Sequence, residues 1–279
     1  MKTLIRRGTI ALVLLGAAAL SGCAADAQTT VASDCVPASK FNTLHEGKLS
    51  VVGPDYPPLF TYQNSKIDGV DGKILESFAK ANCLELDVKV LPAAGVIEAV
   101  KGRQADVAAG GWYPTEERAK IVNQSEPAYG DPAVLVGKNP SGQIEDYEGK
   151  TIGTTQGYLW VDDLVKWAGD KAKLYQSPDA VYQDLLNGRI DVAMMAVNEA
   201  AGRLDQSPDS GLSYVEMAET PLIEATQHPS VTNLPHTKGN TELTEAINSH
   251  LEKIRNDGSL AKILGDFGID ESQAKPESE

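Results

Sequence analysis

The amino-acid sequence predicts an α/β protein of two similar lobes, and three observations carry that expectation. Strand-like apolar runs alternate with helix-spaced ones along most of the chain, which implies parallel sheet covered by helices. The stretch Ala99 to Ala108 is echoed by Leu185 to Ala193, each a helix end, a glycine, then a strand entered through Asp-Val-Ala. Ala133 to Lys138 and Glu224 to Leu234 are extended stretches placed to cross between lobes. A chain of 279 residues is long enough for two such units, and its 42% hydrophobic and 23% charged residues are those of an ordinary globular protein. The net charge of −14 argues against nucleic acid or anionic lipid headgroups as partners.

Residues 1–22 read as an export signal. Lys2, Arg6 and Arg7 form the basic region, and Thr9 to Leu20 is an apolar core too short, with these flanks, for a spanning helix. Leu20-Ser21-Gly22-Cys23 resembles a bacterial lipobox, in which the cysteine is acylated and the acyl chains hold the protein at a membrane surface. Ordinary secretion, with cleavage after Ala25-Asp26-Ala27, is the alternative. Residues 23–47 have the Ala, Thr, Ser and Asp composition of a lipid-anchored tether, with any packing confined to the part from Cys35 onward. Cys35 and Cys83 are left as an even pair in an oxidising compartment. A bridge between them would close a loop of about 49 residues, worth roughly 4 kcal/mol in the chain-entropy treatment. Two separate buried thiols are the other reading.

In the first unit, Lys48 to Gly53 is a strand ended by Pro54-Asp55-Tyr56-Pro57-Pro58. Ile74, Leu75, Phe78 and Ala79 recur at helical spacing, Leu84 to Leu91 alternates as a half-buried strand does, and Val96 to Val100 is a helix closed by Gly102. The second unit begins near residue 149. It comprises a strand at Lys150 to Gly153 and a helix at Leu159 to Ala168 with Leu164, Val165 and Ala168 inward. A strand at Ala172 to Tyr175 and a helix at Pro178 to Asn187, capped by Ser177, complete it. Leu243, Ala246, Ile247, Leu251 and Ile254 mark one closing helix, and Leu260, Ile263, Leu264 and Phe267 another. The expected division is lobe 1 at residues 48–138 and 227–270, lobe 2 at 139–226, and a disordered polar tail at 271–279.

The stretch that carries chemistry is Gly110-Gly111-Trp112-Tyr113-Pro114-Thr115-Glu116-Glu117-Arg118. It follows the apolar run Ala105 to Ala109, and its two glycines permit a sharp turn or a close approach to a ligand. Thr115 caps the helix that follows, Glu116 and Glu117 suit its positive end, and Arg118 adds a fork of donors. A helix start of this kind beside an arginine suits a carboxylate. A surface helix whose arginine pairs with glutamate is the plainer reading.

In this order, the landmarks resemble those of the extracellular solute-binding proteins of ABC importers, polar-amino-acid type (family three). They are Asp55-Tyr56-Pro57-Pro58, Gly102-Arg103-x-x-Asp106, Thr115-Glu116-Glu117-Arg118-Ala119-Lys120, Ser125-Glu126-Pro127-Ala128-Tyr129, Gly188-Arg189-Ile190-Asp191 and Leu260-Ala261-Lys262-Ile263-Leu264. The resemblance covers roughly residues 48–270. It implies the periplasmic-binding-protein type II (Venus-flytrap) architecture with two hinge crossings, and a monomer that closes on a small carboxylate-bearing ligand and delivers it to ABC permease membrane subunits. Arg118 matches the arginine that grips the carboxylate, Gly111 a residue whose backbone meets the ligand, and Tyr56 an aromatic wall.

The sequence departs from that pattern at the pocket. Ala93 stands where many members carry a second stacking aromatic, and Tyr113 replaces a small hydroxyl residue. Gln156-Gly157-Tyr158-Leu159-Trp160 replaces Gln-Gly-Thr-Thr, and Ala196 falls where amino-acid binders place the aspartate that pairs with the α-ammonium. Asn198 or Glu199 is the available substitute. Tyr56, Trp112, Tyr113, Tyr158 and Trp160 make an aromatic pocket suited to a ring, an apolar body or a quaternary ammonium, although Trp112 and Trp160 can equally pack within their own lobes. The rival class is an exported enzyme on the same fold, a cyclic-acid dehydratase or lytic enzyme, with Glu98, Glu116 or Glu199 as general acid. A receptor's ligand-sensing domain is a third. Asp162 and Asp163 are neighbours on one helix and do not face each other, so they read as a solvated pair. His45, His228, His236 and His250 lack metal-ligand spacing and read as surface or loop residues, so no metal or cofactor is expected.

Overall fold

Leu49, Val51 and Val52 are buried on both faces of the strand Lys48–Gly53 (β1), which places it at the centre of the first sheet. The structure, a computed structural model, describes residues 34–227 and 230–275; the expected signal, Cys23 and the outer tether lie outside the described residues. After β1 come a short antiparallel hairpin, Thr61–Gln63 (β2) and Lys66–Asp68 (β3), and the helix Val70–Ala81 (α1). Glu85–Val90 (β4), Ala93–Lys101 (α2), Val107–Ala108 (β5) and Glu116–Ile121 (α3) follow. β4 and β5 flank β1 and run parallel to it, so each return is made through a helix.

The second unit contains Ala133–Gly137 (β6), Ile152–Thr155 (β7), Val161–Ala168 (α4), Ala172–Tyr175 (β8), Pro178–Leu186 (α5), Val192–Ala196 (β9), Val197–Asp205 (α6) and Ser213–Glu216 (β10). Its sheet has the order β10-β6-β9-β7-β8, with β7 parallel to β8 and β9, and β6 antiparallel to β9 and β10. Thr241–Asn256 (α7) and Ser259–Asp266 (α8) return to the first lobe, where Leu243, Ile247, Leu251, Leu260 and Leu264 pack with Ile74, Leu75 and Phe78 of α1.

The echo between the lobes has a structural cause. Asp106 accepts the Ser50 N–H at the start of β1 (2.9 Å), and Asp191 accepts the Thr151 N–H just before β7 (2.7 Å). Each aspartate satisfies a backbone donor of the neighbouring strand that the sheet leaves unpaired. The turns before them differ by one position, since Gly188 takes the left-handed conformation in the second lobe but Arg103, not Gly102, takes it in the first.

Cys35 is bonded to Cys83, which fixes the N-terminal arm to the end of α1. Phe41 stacks on Phe78 with ring centroids 5.5 Å apart, and the Leu44 N–H donates to Asp106. The chain from Cys35 onward therefore packs.

Several sequence expectations are corrected. β6, read as a crossing, is an inner strand of the second sheet, buried along its whole length. A five-residue apolar run has the same pattern whether it links lobes or fills a sheet. The crossing lies just before it, where Tyr129–Asp131 runs antiparallel to Ser230–Thr232. There the Asp131 N–H donates to Ser230 O (2.7 Å) and the Thr232 N–H to Tyr129 O (2.9 Å). Val165 faces outward, leaving Leu164 as the fully buried residue of α4. Residues 271–275 are not a loose tail. Asp270 caps one 3-10 turn at Glu271–Ala274, Ala274 is buried, and the Gly130 N–H donates to Gln273 O (2.8 Å). Main-chain hydrogen bonds anchor this segment, and polar composition does not reveal them. His236 and His250 are buried rather than on the surface, His250 edge-on to Phe78 with Nε2 2.8 Å from Ser77 Oγ, and His236 against Leu234 O and Thr244 Oγ1. His228 lies outside the described residues.

Candidate functional site

A cavity of about 460 Å³ lies between the lobes beside the crossing. Of the expected site residues, Tyr56, Gly111, Trp112, Tyr113, Thr115, Arg118, Gly157, Tyr158 and Trp160 line it, together with Ala93 and Ala196. Pro54, Asp55, Leu59, Gly110, Asp131, Leu159, Glu199 and Ser230 complete its walls. Gln156 is exposed and accepts a hydrogen bond from the Gln176 amide away from the cavity. Asn198 is buried behind the wall, with its main-chain N–H directed at Asp131 (3.3 Å). Neither lines the cavity; for Asn198 the reason is that α6 begins at Val197 and turns the two side chains following Ala196 away from it.

The first-lobe wall is built by the stretch between β5 and α3. Thr115 accepts the Arg118 N–H through Oγ1 (3.2 Å) and so uses one of the free donors expected at this helix start. Arg118 lies half-buried over the Trp112 ring, 5.0 Å from its centroid, and one Nη donates to the Tyr113 carbonyl. Burial lowers the arginine's pKa, but a guanidinium starts so high that it stays charged. The amides of Gly110 and of Gly111, whose backbone is expected to meet the ligand, both donate to Asp71 Oδ2 (2.6 and 2.9 Å). Asp71 opens α1, is fully buried, and also accepts the Tyr129 hydroxyl (2.8 Å). Both glycines adopt positive φ, and a Cβ on Gly111 would lie 2.3 Å from Leu59.

The second-lobe wall is built by the loop after β7, the end of β9 and the first turn of α6. Trp160 is buried in its own lobe, where its indole N–H donates to Thr154 Oγ1 (2.8 Å) and Tyr158 meets its ring edge-on at 4.9 Å. The hydroxyl of Tyr158 donates to Glu199 Oε1, and so does that of Tyr56 from the opposite lobe. Burial and the neighbouring carboxylate hold both phenols far above their ordinary range, and burial also raises the carboxyl of Glu199. The lobes also touch where Gly202 of α6 meets Pro58, since a Cβ on Gly202 would lie 3.0 Å from the proline ring.

Asp131 sits at the crossing itself, accepts the Tyr113 hydroxyl (2.8 Å), and is pushed up to about 7 chiefly by burial. A carboxyl whose folded value is raised favours the protonated native state. Its contribution is full below the ordinary value of 3.8 and is lost as pH climbs through about 7. Asp131→Asn is therefore expected to flatten the fall of melting temperature across that window. An unchanged pH profile in the variant would show that Asp131 titrates normally.

Neither Glu98 nor Glu116 enters the cavity; both are exposed, and Glu98 pairs with Lys101 (3.0 Å). Among the described residues, no cluster of His, Cys, Asp or Glu is arranged to hold a metal ion, and no helix is long and apolar enough to cross a membrane. Two α/β lobes joined at a crossing, with an apolar cavity between them and one cation and three carboxyls (Asp55, Asp131 and Glu199) in its walls, define a binding protein that closes on a small solute. The model of the family "Bacterial extracellular solute-binding proteins, family 3" matches residues 50–268, and the chain belongs to that family.

Among its curated relatives, it is 27% identical over 267 residues to the probable amino-acid-binding protein YxeM of Bacillus subtilis (strain 168), covering 93% of this chain and 94% of that protein. It is 26% identical over 214 residues to the arginine-binding extracellular protein ArtP of the same organism, covering 75% of this chain and 81% of that protein. An ancestral arginine-binding protein solved with arginine superposes with a TM-score of 0.62 at 28% identity, over 80% of this chain and 98% of that one. An ancestral cationic amino-acid solute-binding protein, at 20% identity, shares the fold with a TM-score of 0.69 over 81% of this chain and 97% of that one. These relatives are binding proteins, and this chain is a solute-binding protein rather than an enzyme.

Proposed function

We propose that the protein captures an amino acid, or a close amino-acid-like solute, between its lobes and delivers it to the membrane subunits of an ABC permease. The observation that carries this reading is the pairing of opposite charges across one apolar cavity. Arg118 presents a guanidinium from the first lobe, and Glu199 a carboxyl from the second. A zwitterion satisfies both ends at once, and the tyrosines, Trp112, Leu59 and Leu159 cover a ring, an apolar body or an aliphatic stem between them. The carboxylate is assigned to Arg118. Names of the relatives include binders of arginine, histidine and cystine, which fits a cargo of this class. Anchoring through an acylated Cys23, at the outer face of the membrane, and action as a monomer belong to the same proposal.

Binding favours the closed arrangement only through contacts made on both walls. A thermal-shift screen of residues 34–275 against the twenty L-amino acids, L-cystine, betaines and aromatic acids tests it. At least one amino acid at saturating concentration is expected to raise the melting temperature, since ligand at 100 times its Kd adds about 2.7 kcal/mol. Stabilisation confined to solutes without a carboxylate would overturn the reading.

A further inference from the structure

We infer that residues 270–275 are a strap across the back of the hinge. Gln273, its positioning residue, limits how far the lobes open and so sets how tightly they hold cargo. The inference needs only that the lobes close on a solute, and not that the solute is an amino acid.

The segment follows α8 and lies beyond residues 50–268, over which the family model matches. Its packing assigns it to the first lobe. Ile269, just before it, and Ala274 are each 2% exposed and join the core that holds α1, α7 and α8. Arg255 of α7 donates through Nε to Ala274 O (3.1 Å) and through one Nη to Pro127 O (2.5 Å). One side chain thus holds both the strap and the chain that enters the crossing. From that base Gln273 reaches the crossing and the second lobe. Its carbonyl accepts the Gly130 N–H (2.8 Å), and its side-chain amide donates to Glu216 of β10 (3.4 Å). The same side chain covers Gly130 so closely that a Cβ there would lie 2.0 Å from Oε1. Tyr214, also on β10, packs on the cores of both lobes; burial raises its phenol, and the charges of Asp270 and Glu216 raise it further.

The strap lies on the face of the crossing away from the cleft. Asp131 lines the cleft cavity, whereas its neighbours in the extended chain, Gly130 and Pro132, line a second cavity of about 320 Å³. Glu216, Met217, Ser272 and Gln273 line it as well. A rotation that opens the cleft on one face narrows the space on the other. The strap fills part of that space, so the second lobe meets it before the cleft is wide open. Opening also requires backbone rotation at the crossing, and Gly130 turns at the expense of its bond to Gln273. Stop and tie act in one direction. Both disfavour the open form before cargo arrives, so cargo that closes the lobes has less to overcome.

The test uses the soluble chain from residue 34 in four forms: wild type, Gln273→Ala, a truncation that stops after Ile269, and a control that stops after Lys275. Small-angle X-ray scattering is recorded without cargo. Binding is titrated calorimetrically with the amino acid that most stabilises wild type in the screen. The truncation after Ile269 is expected to enlarge the ligand-free radius of gyration, and saturating amino acid should restore the wild-type value. Its affinity should fall about tenfold, and that of Gln273→Ala about threefold, as the competent form becomes less populated. The control should match wild type in both measurements, because it keeps the whole strap. Gln273→Ala keeps the buried Ala274 and the main-chain bond to Gly130, so it decides alone if the longer truncation fails to fold. Wild-type scattering and affinity in every folded strap variant would overturn the inference. Tighter binding than wild type would overturn it too, since the strap would then hold the lobes apart. If no amino acid binds wild type, the proposed cargo falls, and the ligand-free scattering still decides the strap.

Discussion

Replacing Arg118 with alanine is expected to weaken cargo binding by about thirtyfold or more without lowering the stability of the free protein. The guanidinium is held in place before any cargo arrives. Its helix is capped by Thr115, one Nη donates to the Tyr113 carbonyl, and its Cζ lies over the Trp112 ring. The donors on the cavity side are thus pre-positioned, and little rotamer freedom is left to lose on binding. Removing the side chain strands the cargo's carboxylate in a cavity whose remaining wall is mostly aromatic and aliphatic. Truncating one member of a buried charge pair costs about 2–5 kcal/mol, and 1.4 kcal/mol is tenfold in affinity. Arg118→Lys keeps the charge but loses the fork, so it should fall between the two, near tenfold. Glu117→Ala, on the exposed face of the same helix, is the control and should bind as wild type does. Calorimetric titration of the four proteins decides the matter. An Arg118→Ala variant within threefold of wild type would remove the carboxylate assignment.

How far the sequence reveals this site depends on the range over which each residue acts. Ser177 before Pro178, Thr115 before two glutamates and the spacing of Ile74, Leu75 and Phe78 are local signals, and α5, α3 and α1 form where those signals place them. Arg118, Tyr56 and Tyr158 stand in ordered motifs, and the cavity gathers them. Gln156 and Asn198 are adjacent in sequence to residues that line the cavity, but a loop and a helix turn point them elsewhere. The carboxyl of Glu199 is expected as a substitute for an absent aspartate or, in the rival enzyme reading, as a general acid. The signal that finds it is the three-residue step from Ala196 along a helix whose start is itself hard to place from an apolar run. Asp131 and Asp71 give no local signal, because their partners, Tyr113, Asn198, Gly110, Gly111 and Tyr129, come from other parts of the chain.

Asp71 shows how a residue outside the cavity can govern it, and Asp71→Ala is expected to cost about 3–5 kcal/mol of stability. Three donors converge on its carboxyl: the amides of Gly110 and Gly111 and the hydroxyl of Tyr129, all buried or nearly so. Burial pushes the carboxyl up while those donors pull it down, so much of what the native state gains from them depends on their being met together. Alanine leaves all three without an acceptor, at about 1–3 kcal/mol for each buried group. Asparagine keeps one acceptor but turns an NH2 toward donors, so it should recover only part of the loss. Urea unfolding should show a lower midpoint with an unchanged slope, as expected when the folded structure is retained. The effect should also reach binding. With φ of +115° and +69°, Gly110 and Gly111 hold a backbone course that the Asp71 bonds fix, and Trp112 and Tyr113 follow directly on that course. Under conditions where the variant is fully folded, its cargo affinity should fall by several fold although Asp71 does not line the cavity. A destabilised variant with wild-type affinity would mean that the Trp112–Tyr113 wall is positioned by its own packing and not from α1.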